Sequence, residues 1–547
     1  MKYIFVSGGV ISGIGKGIST ASVALLLKSA GYKVAPLKID PYLNVDAGTM
    51  NPVHHGEVFV LDDGSETDQD LGNYERFLGE PLNKTNYATS GQVYLSVIQR
   101  ERSLGYNGDC VEAVPHIPEE IIKRINEAGK SHNADIVIIE IGGTVGEMQN
   151  VFIFEANRIL KMKKPNDVLH IHLSYLPIPP SLGEMKSKPV QMSVKELNSM
   201  GIQPDILLAR SGVPVDEIRR KKLALFCSLP PEDIISAPDV KNIYEVPINY
   251  EDEGLSARIL KKLKLKRKHK DLVQWRDFEN KIVSAKKVVK IGIVGKYFTT
   301  GDFTLADSYI SVIEALKHAS YNQNLKPEIT WIDSGKLLED IKQLKNYQGI
   351  IVPGGFGSRD IDGKIEAIKY CRENKIPYFG LCYGMQLACV EYARNVLGLK
   401  SANTTEIDPK TKYPVIHIMP DQEKKLLLKN YGGTMRLGAW DCLLKKGSLA
   451  RKLYDTFGKL SAGTDQISER HRHRYEFNNE FLEKFLDSGL KISGTSPDGK
   501  LVEIVELSDH PFFIGTQFHP ELKSRPLGPH PLFMGFVKEA NKINLGA

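Results

Sequence analysis

The stretch Ile376-Pro377-Tyr378-Phe379-Gly380-Leu381-Cys382-Tyr383-Gly384-Met385-Gln386-Leu387-Ala388-Cys389-Val390 decides how the second half of this chain folds. Its apolar opening, Ile376 to Phe379, reads as a strand, and its close, Gln386 to Val390, reads as a helix. A glycine-flanked cysteine stands at the turn between them. A strand running sharply into a helix exposes a nucleophile at the edge of an α/β sheet, and a helix N-terminus favours a thiolate there. Far downstream, Phe518-His519-Pro520-Glu521 supplies a histidine and a carboxylate that can fold back onto that sulfur. Cys382 as nucleophile, His519 as base and Glu521 as the group that orients it make a thiol-hydrolase constellation.

The same strand-to-helix order opens the chain. Tyr3 to Val6 runs into Ser7-Gly8-Gly9-Val10-Ile11-Ser12-Gly13-Ile14-Gly15-Lys16-Gly17, followed by a helical Ile18 to Ala30. Glycines let backbone N–H groups approach phosphates, the helix dipole favours anions and Lys16 adds a point charge. The match to GxxxxGK[ST] is imperfect, with Val10 for the first glycine and Gly17 for the magnesium-binding hydroxyl residue. Lys38 and Asp40 stand at the end of the apolar run that starts at Val34, and Glu140 follows Ile136 to Ile139 just before Gly142-Gly143. Asp70 closes the acidic Glu66-Thr67-Asp68-Gln69-Asp70, in which Asp68 reads as a solvated loop acid. Ligands of open α/β sheets collect at the C-terminal ends of strands, so these charges are expected to converge on the loop. Asp70 and Glu140 are candidates to hold Mg2+ in place of the missing hydroxyl ligand.

At 547 residues the chain is too long for one ordinary core. Strand-like and helix-like segments alternate to about Leu265 and recommence at Lys290, so each half reads as a parallel α/β layer structure. The expected organisation is a first domain over 1–265, a linker over 266–288 with an amphipathic helix from Leu272 to Ile282, and a second domain over 289–547. No apolar run nears the roughly 18 residues of a membrane span, and the expected location is the cytoplasm. Six cysteines without a CxxC pair argue against a disulfide framework or structural zinc. The net charge of +6 rests on seven lysines and arginines between Lys261 and Lys270, without which it would be −1. With no aromatic residue interleaved to stack on bases, that cluster reads as a solvated interdomain linker rather than a nucleic-acid site.

Several long segments resemble the CTP synthase family: Lys38 to Tyr42, His55 to Val60, Leu71 to Phe77, Glu140 to Gly146 and Arg470 to Glu476. The triad alone resembles class I glutamine amidotransferases. The resemblance implies an N-terminal phosphate-loop domain similar to dethiobiotin synthetase and a C-terminal class I glutamine amidotransferase α/β domain. It further implies a carbon–nitrogen ligase of pyrimidine nucleotide synthesis, in which ATP phosphorylates O4 of UTP and ammonia from L-glutamine displaces the phosphate at C4 to give CTP. By resemblance, Gly355, Leu381, Tyr383, Gly384, Met385, Gln386, Glu406 and Arg474 bind glutamine. Gly13, Ile14, Gly15, Lys16, Gly17, Ile18, Lys38, Asp70, Asp239 and Val240 bind ATP. Ser12, His55, Glu147, Met148, Gln149, Lys186, Ser187, Lys188, Pro189, Val190, Gln191 and Lys222 serve UTP and the overlapping CTP feedback site. Arg359 belongs to a lid for GTP as activator, and a homotetramer, a dimer of dimers, completes the UTP site across subunits. The adjacent His54 and His55 lack a second cluster at ligand spacing and read as substrate-pocket or core residues rather than metal ligands.

The chain departs from the family pattern at a few places. Val190 stands where a threonine is usual, Glu147-Met148-Gln149 replaces Asp-x-Glu, and Cys110-Val111-Glu112 replaces Thr-Val-Gln, so an amide and a carboxylate are exchanged between two regions near the pyrimidine site. Asp360 replaces a glycine beside Arg359. Two other functions stay open at this point: a related ATP-dependent amidoligase with a carboxylate acceptor, and a nucleotide-gated assembly protein with reduced catalysis.

Overall fold

The computed structural model describes residues 1–51, 55–269, 272–295, 299–300, 303–304, 306–355, 360–419, 422, 433–458, 460 and 463–545, with backbone alone for 299–300, 303–304 and 306–307. They form two compact units, Met1–Ala47 with Asp70–Glu279, and Gly48–Gln69 with Asn280–Ala547.

The first unit is built on a parallel sheet of seven strands: β1 (Lys2–Gly9), β2 (Val34–Asp40), β3 (Tyr87–Thr89), β4 (Ile136–Ile141), β5 (Val168–Tyr175), β6 (Ile206–Ser211) and β7 (Ile234–Pro238). Their spatial order is β3-β2-β4-β1-β5-β6-β7. Continuous apolar runs make these strands because both faces are covered by helices, and every residue of β4 is buried. Alternate residues feed opposite layers, Ile4 and Val6 on one face and Tyr3 and Phe5 on the other. The chain moves from β1 to one side for β2 and β3 and, after β4, to the other for β5 to β7, which puts a topological switch point beside the C-terminal end of β1. Register brings the charges to one level there, since Val6 of β1 and Lys38 of β2 both pair with Glu140 of β4. Helices α1 (Lys16–Ser29), α2 (Asp70–Leu78), α3 (Lys188–Ser199) and α4 (Glu217–Cys227) follow or flank these strands.

The basic stretch exposes Lys261, Lys264, Lys266 and Lys268 to solvent and is also tied to the first unit. The N–H groups of Lys268 and His269 donate to the Ala30 carbonyl at 3.0 and 3.2 Å, and Tyr32 donates to the Lys266 carbonyl. Lys262 pairs with Asp233 at 2.6 Å and Arg267 with Glu251 at 3.1 Å, so nearby acids of the same unit take up its charge. Helix α5 (Val273–Ser284) then buries Trp275 and Phe278. Trp275 packs tilted against Phe77, ring centroids 5.0 Å apart, and donates its indole N–H to the Tyr244 carbonyl at 2.9 Å.

The second unit carries a nine-stranded sheet: β8 (Lys287–Gly295), β9 (Leu325–Asp333), β10 (Gly349–Val352), β11 (Tyr378–Leu381), β12 (Arg436–Leu444), β13 (Gln466–His473), β14 (Leu490–Thr495), β15 (Val502–Leu507) and β16 (Phe513–Thr516), in the order β9-β8-β10-β11-β16-β15-β14-β12-β13. The first five in that order are parallel, as expected. The remaining contacts are antiparallel, which the expected parallel layer did not include. For β14 to β16 the reason is connection length: residues 496–501 and 508–512 are too few for a crossover helix and allow only hairpins. Ile351, Phe379 and Leu381 face one core layer and Ile350, Val352 and Tyr378 the other. Segment 48–69 belongs to this unit although it lies early in the chain, as two short paired strands, Phe59–Val60 and Glu66–Thr67.

Candidate functional site

In the second unit, β11 ends at Leu381 and helix α6 (Tyr383–Asn395) begins at Tyr383, leaving Cys382 alone at the turn with φ 50° and ψ −99°. A non-glycine residue held there stores on the order of 1–3 kcal/mol, which the neighbouring packing must enforce. The flanking glycines permit it. A Cβ on Gly384 would lie 2.1 Å from the Val352 carbonyl oxygen, and one on Gly380 would lie 2.6 Å from the Tyr378 hydroxyl. The Gln517 amide, which the sequence reading did not single out, donates to the Cys382 sulfur at 3.6 Å and accepts from Gln386 at 3.2 Å.

His519 Nδ1 lies 2.8 Å from Glu521 Oε1. Burial disfavours the imidazolium, but Glu521 and the adjacent Cys382 more than offset it, and the His519 pKa stands well above the usual histidine value. The three expected residues are therefore together as a thiol, its base and the base's carboxylate. Cys382, His519, Gly354 and Gly355 line one cavity of about 100 Å3 with Glu57 and Val58 of the early segment. That segment is fastened around the site by acids. Glu57 accepts from the Ser311 backbone N–H at 3.3 Å, Asp62 pairs with Arg470 at 2.5 Å and Glu66 with Arg472 at 2.8 Å. Asp68 is buried 3.6 Å from His55, which corrects its reading as a solvated acid. His55 lies in this unit with the segment.

Glu406 and Arg474 both act electrostatically on Tyr475, and Arg474 donates to Gln422 at 2.7 Å. Leu381, Tyr383 and Met385 are buried around the elbow. Arg359 and His54 lie outside the described residues. Asp360 has φ 56°, the left-handed region that favours glycine and that aspartate tolerates best among charged residues.

In the first unit, β1 leads into the loop and α1 starts at Lys16, capped by Gly15 in the left-handed region. Val10 is also left-handed at φ 80°, a costly conformation for a β-branched residue and one that its replacement of glycine did not foretell. Lys16 Nζ donates to the Gly143 carbonyl at 2.8 Å, and burial lowers its pKa. Lys38 bonds Asp70 and lies 3.8 Å from Asp40 and 3.9 Å from Glu140. The expected convergence of Lys16, Lys38, Asp70 and Glu140 is therefore present. Tyr74 donates to Glu140, a contact the sequence reading missed for want of any signal beyond proximity to Asp70. Burial and then the charge of Asp70 push the Glu140 carboxyl up to about 7, against the opposing pull of Lys38 and Lys16. Asp70 goes the other way: burial raises its pKa, but Lys38, Asn73 and Lys16 together lower it below its usual value. A buried carboxylate, Glu140, and a part-buried one, Asp70, thus stand beside Lys38, and Mg2+ commonly takes one or two carboxylates with phosphates and water completing its shell.

Gly17 is explained by the same pair. A Cβ there would fall 1.9 Å from Asp70 Oδ1, so this carboxylate occupies the space beside the helix start. Gly17→Ser, which restores the usual loop sequence, is expected to destabilise the chain by about 1–3 kcal/mol through overpacking and to weaken ATP binding. Thermal melting and ATP titration of that variant check both.

Around this centre, Asp239 pairs with Arg210 at 2.8 Å, and Val240 packs on the core. Gly13 and Ser12 are exposed on the loop, Ile14 is buried and Ile18 half-buried. Lys186 pairs with Glu184 at 3.0 Å, and Lys188 and Pro189 open α3 after Ser187, whose hydroxyl accepts from Gln191 at 3.1 Å. Val190 is fully buried with Leu176, Val194 and Leu207, so its side chain packs in the core. Glu147 accepts from the Thr144 N–H and hydroxyl at 2.7 and 2.6 Å and from Gln149 at 3.4 Å, while Met148 is exposed. Glu112 and Lys222 are exposed, the latter on α4.

Residues 2–265 match the family model described as CTP synthase N-terminus, and residues 304–539 match Glutamine amidotransferase class-I. The CTP synthase of Carboxydothermus hydrogenoformans is 51% identical over 99% of both chains. That of Prochlorococcus marinus is 49% identical over 99% of this chain and 98% of its own. Among solved structures, the glutaminase domain of Trypanosoma brucei CTPS with bound acivicin is 37% identical, covering 47% of this chain and 95% of that one at a TM-score of 0.42. With about half its residues identical to those relatives from end to end, and with a thiol triad and a phosphate loop where the two family models fall, the chain belongs to the CTP synthase family.

Proposed function

We propose that the protein converts UTP to CTP with ATP and the amide nitrogen of L-glutamine. The observation that carries this reading is the presence on one chain of two chemically different centres, a thiol triad in one unit and, in the other, a phosphate loop whose Lys16 stands with Lys38 beside Asp70 and Glu140.

In the second unit the Cys382 sulfur attacks the glutamine amide carbon. His519 gives a proton to the departing nitrogen, ammonia leaves, and a thioester remains. Water then adds with His519 as base, releasing glutamate and restoring the thiol. Glu521 holds the imidazole, Gln517 bonds the sulfur, and backbone N–H groups near Gly355 are assigned to the oxyanion. Glu406 and Arg474 are assigned to the amino and carboxylate groups of glutamine, for which arginine offers a two-point clamp. Ammonia must avoid protonation by water on its way to the other centre.

In the first unit, O4 of UTP takes the γ-phosphoryl group of ATP. Ammonia then adds at C4 and phosphate leaves, giving CTP, ADP and phosphate. Lys16 and Lys38 neutralise charge during phosphoryl transfer. Asp70 and Glu140 would hold Mg2+, which when bound neutralises phosphate charge. The 186–191 segment is assigned to UTP, Asp239 and Val240 to the adenine, and the loop of Arg359 to GTP activation. A homotetramer in the cytoplasm, with CTP as feedback inhibitor, completes the reading.

UTP-dependent ADP release in the presence of ammonium tests the acceptor. CTP should accumulate in step with ADP. ADP release that ignores UTP and answers to a carboxylate substrate would overturn the assignment.

A further inference from the structure

A buried polar chain that the reaction above does not use runs from β5 to α3. Ser7 of β1 pairs in register with His172 of β5. Its hydroxyl lies 2.7 Å from His170 Nε2 and 2.8 Å from His172 Nδ1. At one end the Asn157 amide nitrogen is 2.5 Å from His170 Nδ1; at the other, His172 Nε2 is 2.7 Å from the Ser193 hydroxyl on α3. No member is more than 7% exposed.

The protons of this chain run one way. The Asn157 amide donates to His170 Nδ1, which leaves the His170 proton on Nε2 for Ser7. The single hydroxyl proton of Ser7 goes to His172 Nδ1, and His172 Nε2–H donates to Ser193. Both rings must be neutral for this, in keeping with burial, which lowers the His172 pKa to about 3 and that of His170 well below its usual value.

The chain ends where the phosphate loop begins. A Cβ on Gly9 would lie 1.6 Å from the Ser193 hydroxyl oxygen and 2.8 Å from His172 Nε2, so the last residues of β1 are seated directly on this pair. Ser193 lies two residues beyond Gln191, on the helix that Lys188 and Pro189 open. Apolar side chains would fill the same space, but a hydrogen-bonded set also fixes which atoms meet, because a slip leaves buried polar groups unpaired.

We propose that His172, through Ser7 and Ser193, is a positioning residue that holds the phosphate loop and the 186–191 segment in one register, so that the phosphoryl donor and its acceptor are presented to each other. This rests on the assignment of that segment to UTP.

The test uses the full chain, ammonium, ATP and UTP, with wild type alongside Ser193→Ala, His172→Gln and Ser174→Ala. The Ser174 hydroxyl is buried on the same strand without a partner among the described residues, so its loss controls for the removal of a buried hydroxyl. Misplacement of reacting groups slows the bound complex, so Ser193→Ala should lower kcat about tenfold and leave both KM values within about twofold. Ser174→Ala should match wild type, and His172→Gln, which keeps a donor toward Ser193, should fall between. Glutamine hydrolysis and the melting temperature of each variant report folding. If Ser193→Ala keeps wild-type kcat, or loses kcat only in proportion to a loss of folded protein, the inference is overturned. Wild type that makes no CTP overturns the functional assignment instead, so the two failures are separate.

Discussion

Cys382→Ala is expected to stop glutamine-dependent CTP formation, by a factor on the order of 10⁴ or more, as loss of a nucleophile does in comparable triads. CTP formation from ammonium should stay within about twofold of wild type. The split follows from the separation of labour. The sulfur is the only atom of the elbow that bonds to substrate carbon, and everything around it serves that role: the left-handed turn at Cys382, the glycine at 384 under the Val352 carbonyl, and the Gln517 amide beside the sulfur. No phosphate chemistry depends on it. Alanine is smaller than cysteine and fits the same turn, so folding should survive. Initial rates with each nitrogen donor decide the matter, and a variant that loses both would mean that Cys382 holds the chain together rather than attacking glutamine.

Lys16→Ala should give the opposite pattern, in which both nitrogen donors fail while Cys382 still hydrolyses glutamine. Lys16 ends at the Gly143 carbonyl, buried beside Lys38, Asp70 and Glu140. Removing a fixed positive charge from a phosphoryl-transfer centre costs about 3–4 kcal/mol, or 10²–10³ in rate, when it acts on charge that develops in the transition state. Lys38 is the instructive comparison. It lies within 4 Å of Asp40, Asp70 and Glu140, and its loss would leave them with Lys16 as their main counter-charge, a change that costs up to about 3–5 kcal/mol in buried pairs. Lys38→Ala should therefore lower the melting temperature as well as the rate, whereas Lys16→Ala should lower chiefly the rate.

The parts of this protein that were legible in the sequence are those where one short segment carries its own geometry. The elbow around Cys382 and the loop ending at Lys16 each need a strand, a glycine turn and a helix start, and each is read from about fifteen consecutive residues. The convergence of Lys38, Asp70 and Glu140 was readable because strand ends in a parallel sheet share one edge. What escaped depends on pairing across distance. Nothing in Gly48 to Gln69 announces that it packs with strands four hundred residues later, since Asp62 and Glu66 find Arg470 and Arg472 only in the folded unit. The antiparallel strands were hidden because an apolar run has the same look in either direction. Val190 was legible as a departure but not as a core residue, because the orientation of a helix position beside a sheet is set by its neighbours. The ion pairs of Lys262, Arg267 and Lys268 were not legible because their partners Asp233, Glu251 and Asp135 are scattered through the chain.

The most direct measurement is to supply glutamine labelled with ¹⁵N in its side-chain amide, together with ATP, Mg2+, UTP and GTP, and to weigh the nucleotide product while counting glutamate and ADP. Two centres working in sequence on one chain predict CTP carrying the label on its exocyclic nitrogen, with glutamate, ADP and CTP formed in equal amounts. Glutamate and labelled free ammonium without ADP or labelled CTP would contradict the account, leaving a glutaminase whose nitrogen has another destination.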